Sequence, residues 1–200
     1  PSIWQYPFFQ NEFDSNRIWT PQEIENRIAT PGCPWIPDVG VVTWNGRAAF
    51  PANWMRASQK RRGLKKLIKN NDMAFIQETH LANRSLKGCS DLVHQTSSVV
   101  FGFVHGQLAG GVLSFVQRSF LEKHFTFACW EELVPGRVGC LRCFGPKGDA
   151  CFYNVHVFPC SPSSCESLFT SIRRSVNDNS FNLCCGDFNF VSQPDDRLFY

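Results

Sequence analysis

No stretch of eighteen apolar residues occurs anywhere in the chain, and the N-terminus carries no basic segment followed by an apolar core. Neither a membrane-spanning helix nor a secretory leader is expected, which leaves a nuclear or cytoplasmic location with no membrane partner. Charge is also sparse. Asp, Glu, Lys and Arg make up 18% of the residues and sum to +3, a balance that permits a polyanionic partner without demanding one. There is no Gly-x-Ser-x-Gly elbow to present a serine nucleophile and no G-x-x-x-x-G-K-[ST] loop to cradle a nucleoside triphosphate. Repeats and low-complexity tracts are missing too, so solenoid and disordered architectures are excluded.

Cysteine, by contrast, is plentiful. The ten cysteines are scattered through strand-like apolar runs instead of framing loops, and they read mostly as buried free thiols. Cys140 and Cys143 have C-x-x-C spacing, but no second pair completes a zinc set. With 43% apolar and 14% aromatic residues in a chain of 200, a single well-filled core is expected. The chain opens at Pro1 without an initiator Met, which suggests a piece of a longer product.

Residues 1–38 read as an extension or linker, rich in Pro and Asn, with one short helix candidate starting at Pro21. A core strand is predicted over Val39–Trp44, followed by an amphipathic helix over Trp54–Lys69 whose six cations from Lys60 to Lys69 read mainly as a solvated face. Further strands are predicted at Met73–Ile76, Val99–Val104 and Gly110–Val116, with a polar loop over residues 81–98. The segment Ser119–Leu133 reads more as strand than helix. Val138–Phe144 and Ala150–Phe158 form a hairpin around Gly145–Asp149. A helix over Cys165–Val176 and a strand over Phe181–Cys185 complete the pattern, and mixed sheets with helices outside are expected.

Four of these strands end in polar groups: Asn45; Glu78 with His80; Asn154 with His156; Asp187 with Asn189. Singly, each has a plain reading as a turn residue, a cap or a satisfied core histidine. Together they match a site for a divalent cation and a phosphoester. Mg²⁺, or Mn²⁺ in its place, takes carboxylate and amide oxygens and needs only one or two carboxylates, which points to Glu78 with Asn45 beside it. Asp187 is positioned to orient or deprotonate a water, and Asn189 and His156 to hold the phosphate. Arg47, His80 and Asn154 are placed on the substrate side. Period two predicts that residues 187 and 189 point the same way.

The motifs Trp44-Asn45-Gly46-Arg47, Gln77-Glu78-Thr79-His80, Gly110-Gly111-Val112, Asn154-Val155-His156 and Gly186-Asp187-Phe188-Asn189, in this order, resemble the endonuclease/exonuclease/phosphatase superfamily over residues 39–200. The resemblance implies a four-layer α/β sandwich of two mixed sheets flanked by helices, incomplete at its C-terminal side, and a Mg²⁺-dependent phosphodiesterase site. Residues 190–198 are similar to endonuclease domains of non-LTR retrotransposon polyproteins, which implies DNA nicking. In that pattern Asn45 and Glu78 sit at the metal, His156 contacts the phosphate, Asp187 orients the water and Asn189 stabilises the transition state. Members that cut DNA often carry Tyr at the position of His156, whereas Asn-x-His strands occur in lipid phosphodiesterase and deadenylase members. The family's Ser-Asp-His signature is not found after Asn189, so weak or no activity is expected of these 200 residues alone. Two other functions compete: hydrolysis of RNA or lipid phosphoesters, and nucleic-acid binding by a degenerate domain through residues 56–69 and 173–174.

Overall fold

The computed structural model describes residues 12–14, 38–47, 49–50, 58–81, 86–102, 110–158 and 162–189. In chain order the elements are β1 (Glu12–Asp14), β2 (Val41–Asn45), α1 (Ser58–Asn70), β3 (Met73–Gln77), α2 (Leu86–Thr96), β4 (Ser98–Gly102) and β5 (Leu113–Gln117). These are followed by α3 (Arg118–His124), β6 (Phe127–Val134), β7 (Val138–Gly145), β8 (Gly148–His156), α4 (Pro162–Ser175) and β9 (Phe181–Asp187). They form two mixed sheets, one in the order β2-β3-β5-β4 and the other β1-β6-β7-β8-β9. The predicted four-layer sandwich is therefore the observed one.

Alternation along each strand sorts side chains between layers. In β3, Met73 and Phe75 face the second sheet, while Ala74 and Ile76 face the helices. In β7, Leu141 and Cys143 join the inter-sheet core and Val138 and Cys140 turn outward. Leu64 and Ile68 of α1, with Cys89 and Leu92 of α2, close the outside of the first sheet. Leu168 and Ile172 of α4 close the outside of the second. Because Cys140 and Cys143 lie on opposite faces of one strand, they cannot share a metal. The eight described cysteines are all free thiols.

Two segments differ from their sequence reading. Residues 81–98, expected to be a loop, contain α2, whose buried Cys89, Leu92 and Thr96 recur at helical spacing beneath a polar surface. Ser119–Leu133 splits into the short helix α3, which buries Phe120 and Leu121, and the strand β6. The helix candidate at Pro21 lies outside the described residues. Within the segment read as an extension, β1 adds an edge strand antiparallel to β6. Among the described residues no helix is long and apolar enough to cross a membrane.

Parallel pairing positions the site. Helix α1 carries the chain back so that β2 and β3 run parallel, with Asn45 beside Gln77. Helix α4 does the same for β8 and β9, with His156 beside Asp187. Each crossover thus delivers two strand C-termini together, and β2 approaches β9 across the sandwich.

Candidate active site

The site is built from those two parallel pairs, one in each sheet. The Glu78 carboxylate, the His156 imidazole and the Asp187 carboxylate converge, with one potential ligand atom from each lying within 4.8 Å of the others. Asn45 joins them by donating from Nδ2 to Asp187 Oδ2, and its Oδ1 accepts the Arg47 backbone N–H at 3.0 Å. The other Asp187 oxygen accepts the Asn189 N–H at 3.1 Å. A donor on each oxygen fixes the plane of the carboxylate.

Backbone conformation aims these groups. Arg47, Glu78, His80 and Asn189 all take positive φ, between 40° and 50°, a left-handed conformation that is unfavourable for side-chain-bearing residues and collects at functional sites. The turn at Glu78 is held by Thr79 N–H to Gly111 O and His80 N–H to Gly110 O, at 3.2 and 3.1 Å. Gly110 and Gly111 thereby provide the close backbone approach expected of them. Gly186 is required for the same reason, since a Cβ there would lie 1.9 Å from Val155 O.

His156 is sealed from solvent at 1% exposure, whereas Glu78 keeps 26%. Arg137 Nη1 lies 3.1 Å from His156 Nδ1. A guanidinium only donates, so Nδ1 must accept and the hydrogen of the neutral ring belongs on Nε2. Burial first, and then the Arg137 charge, hold the imidazole below its ordinary pKa, against the opposing pull of Glu78 and Asp187. Nε2 sits 3.3 Å from Glu78 Oε1 but makes no hydrogen bond. The result is a buried, unpartnered N–H donor aimed into the site.

With Nε2 bearing its hydrogen, His156 is a donor and not a metal ligand. The groups left for a cation are oxygens: both carboxylates and the Asn45 amide. That set fits Mg²⁺ or Mn²⁺ better than zinc, which favours nitrogen and sulfur.

The structure brings Asn45, Glu78, His156, Asp187 and Asn189 together and separates the other three expected residues. Asn154, expected on the substrate side, is fully buried. Its Oδ1 accepts from Gln77 Nε2 at 2.7 Å, and its Nδ2 donates to Leu113 O at 3.0 Å and Ser114 Oγ at 3.3 Å. It braces the two sheets beneath the site instead of facing a ligand. Arg47 is exposed at the rim, and its carbonyl accepts Lys60 Nζ at 2.7 Å. Burial and the Arg47 charge together lower the Lys60 pKa, so two cations share this edge. His80 is half-buried and stands outside the converging cluster.

Asn189 also departs from expectation. Its left-handed backbone ends the extended geometry, its N–H turns back to Asp187, and its Nδ2 donates to Val157 O at 2.6 Å. An Asx-type turn, not strand alternation, places it. Sequence reasoning missed Gln77, Arg137 and Phe158. Gln77 was marked as the polar end of an apolar strand and as the first residue of Gln77-Glu78-Thr79-His80, without a role of its own. Arg137 and Phe158 have no motif, because their relation to His156 exists only in three dimensions.

No protein-family model and no curated protein matches the sequence. Solved structures match it in fold. An AP endonuclease from Leishmania major aligns with a TM-score of 0.61, over 92% of this chain and 70% of its own, at 13% identity. A truncated Caenorhabditis elegans TDP2 aligns at 0.53, over 81% and 65%, with 15% identity. ANGEL2, a 2′,3′-cyclic phosphatase, aligns at 0.50, over 77% and 54%, with 16% identity. This chain thus spans 65% of the truncated nematode chain and about half of the ANGEL2 chain. At these identities the likeness is one of architecture, and the chain has a fold of the endonuclease/exonuclease/phosphatase type.

Proposed function

We propose that this site hydrolyses phosphodiesters with a divalent cation, Mg²⁺ or Mn²⁺, and that its substrate is DNA, nicked in the manner of a retrotransposon-type endonuclease in the nucleus. The observation that carries the reading is the convergence of Glu78, Asp187 and a hydrogen-bearing His156 Nε2 from two different sheets. Glu78 and Asn45 would hold the cation, and Asp187 stands close enough to share it. When bound, the ion supplies Lewis-acid polarisation of phosphoryl oxygens.

The chain's own residues do the rest. His156 Nε2–H donates to a phosphate oxygen as negative charge builds there, and Asn189 does so with the amide hydrogen not used on Val157 O. Asp187, its plane fixed by Asn45 and Asn189, orients a water and accepts its proton. Arg47 and Lys60 draw the polyanion to the rim. In this reading residues 39–200 belong to the endonuclease-type domain, with residues 12–14 contributing an edge strand from the preceding extension.

Supercoiled plasmid incubated with excess protein tests this. Nicking should require Mg²⁺ or Mn²⁺ and disappear in Asp187→Asn and in Glu78→Gln. Cleavage that survives EDTA and both substitutions would overturn the reading. The presence of His156 favours a second substrate range, so poly(A) and a lipid phosphodiester belong in the same assay. Salt-sensitive DNA binding that ignores Mg²⁺ and cleaves none of the three would replace catalysis with simple binding.

A further inference from the structure

Beside His156 lies a pocket of about 260 Å³ lined by Val134, Arg137, Phe158, Ser164, Ser167 and Leu168. It sits between the β6–β7 turn and the first turns of α4, outside the cluster of Glu78, His156 and Asp187. Phe158 is 49% exposed, and only Val176 among the other described large apolar residues is also exposed. The ring is nevertheless held in place. The Arg137 guanidinium lies 4.6 Å from its centroid, and the Phe158 and His156 rings stand nearly perpendicular with their centroids 6.5 Å apart. Arg137 therefore links the pocket's aromatic wall to the imidazole that faces the phosphate.

We propose that this pocket receives one unpaired nucleobase of the substrate strand, next to the phosphate being cut. The inference rests on the reading of the site as a phosphodiesterase. Four observations support that occupant. The pocket is smaller than the roughly 300–1,000 Å³ that encloses a whole small molecule, so it suits one ring system. Its lining combines a half-exposed aromatic ring with a guanidinium, the two groups on which bases stack. Val134 and Leu168 supply apolar lining. Ser164 and Ser167, both exposed, supply polar lining suited to the polar edge of a base. A base can enter only after leaving its own stack, so a strand with unpaired bases is preferred over intact duplex.

The test uses the full chain and oligonucleotides carrying 2-aminopurine at successive positions, as single-stranded DNA, single-stranded RNA and duplex, in EDTA. Quenching should be strongest at one position of a single strand and weaker in duplex. It should fall about ten-fold in affinity in Phe158→Ala and be retained in Phe158→Trp. The DNA and RNA arms identify which sugar the strand carries. Equal quenching at every position, or a Phe158→Ala response identical to wild type with an unchanged melting temperature, would overturn the proposal. A cleavage arm separates the two readings. Where Mg²⁺-dependent cleavage occurs, an abasic site at the quenched position should slow wild type to the level of Phe158→Ala, with no further loss in the variant. Position-specific quenching without cleavage would sustain the pocket and remove the hydrolase reading. Cleavage with no effect of Phe158 would do the reverse.

Discussion

At the scale of single residues, the chemistry turns on one tautomer. Arg137 has no acceptor, so its contact with His156 Nδ1 forces the ring hydrogen onto Nε2, which lies 3.3 Å from Glu78 Oε1 without an aligned hydrogen bond. Nitrogen-15 NMR of wild type should show an Nε2–H imidazole, and Arg137→Leu should raise the His156 pKa by removing a positive charge. An Nδ1–H ring in wild type would contradict the geometry. His156→Ala should lower kcat by about 10²–10³, the usual effect of losing one buried donor to a developing oxyanion. His156→Gln should recover part of that, because a carboxamide also donates. The lowered pKa has a consequence for stability as well. Between the folded pKa and the unfolded value of about 6.5, the unfolded chain binds more protons. In EDTA, stability should therefore fall as pH drops from about 6.5 through the folded pKa and stay flat above about 6.5. His156→Gln should remove that component from a urea titration.

At the scale of elements, strand β3 is fixed to β8 by an amide pair with no water to fall back on. Gln77 and Asn154 are both fully buried and bond at 2.7 Å, while Thr43 holds the far side of Gln77 at 3.2 Å. Gln77→Leu should destabilise the fold by about 1–3 kcal/mol, since it leaves the Asn154 carbonyl buried without a donor. Substituting Leu at both positions should be milder than the sum of the singles, because neither amide of the pair then faces a lost partner, while Leu113 O and Ser114 Oγ lose the Asn154 donor equally in the Asn154 single and in the double variant. Urea unfolding of the four proteins completes the cycle, and strict additivity would show that the pair does not couple the sheets. The elements that carry the site were legible in the sequence because each is an apolar strand ended by a polar residue. The helices α2 and α3 were not. In α2 the buried face is written partly in Cys, Ser and Thr, which lack the hydrophobic contrast that reveals a period. Helix α3 has seven residues and follows β5 without a loop, too short a run for periodicity to distinguish it from more strand. The turn at Asn189 was hidden for a different reason, because period two holds only while the backbone stays extended.

At the scale of the whole molecule, the site is a seam. Asn45 and Glu78 belong to the first sheet and His156 and Asp187 to the second, and the Asn45–Asp187 contact is a direct bond between the ends of β2 and β9. Sequence order could suggest that these groups share a site, but their facing each other depends on how two sheets stack, which is set by the core between them. Trp130 shows how tightly that core is fitted: its indole lies so close over β7 that a Cβ on Gly139 would come within 1.8 Å of it. A cation held by oxygens from both sides of the seam binds the folded chain and not the unfolded one, so it must stabilise the sandwich by mass action. At a free concentration of one hundred times Kd the gain is about 2.7 kcal/mol. Thermal unfolding should therefore shift upward with Mg²⁺ or Mn²⁺ relative to EDTA, and the shift should shrink in both Glu78→Gln, which alters the first sheet, and Asp187→Asn, which alters the second. A shift lost only in Glu78→Gln would place the cation on one sheet alone. Equal shifts in all three proteins would mean that the ion binds elsewhere and that the seam is not where it acts.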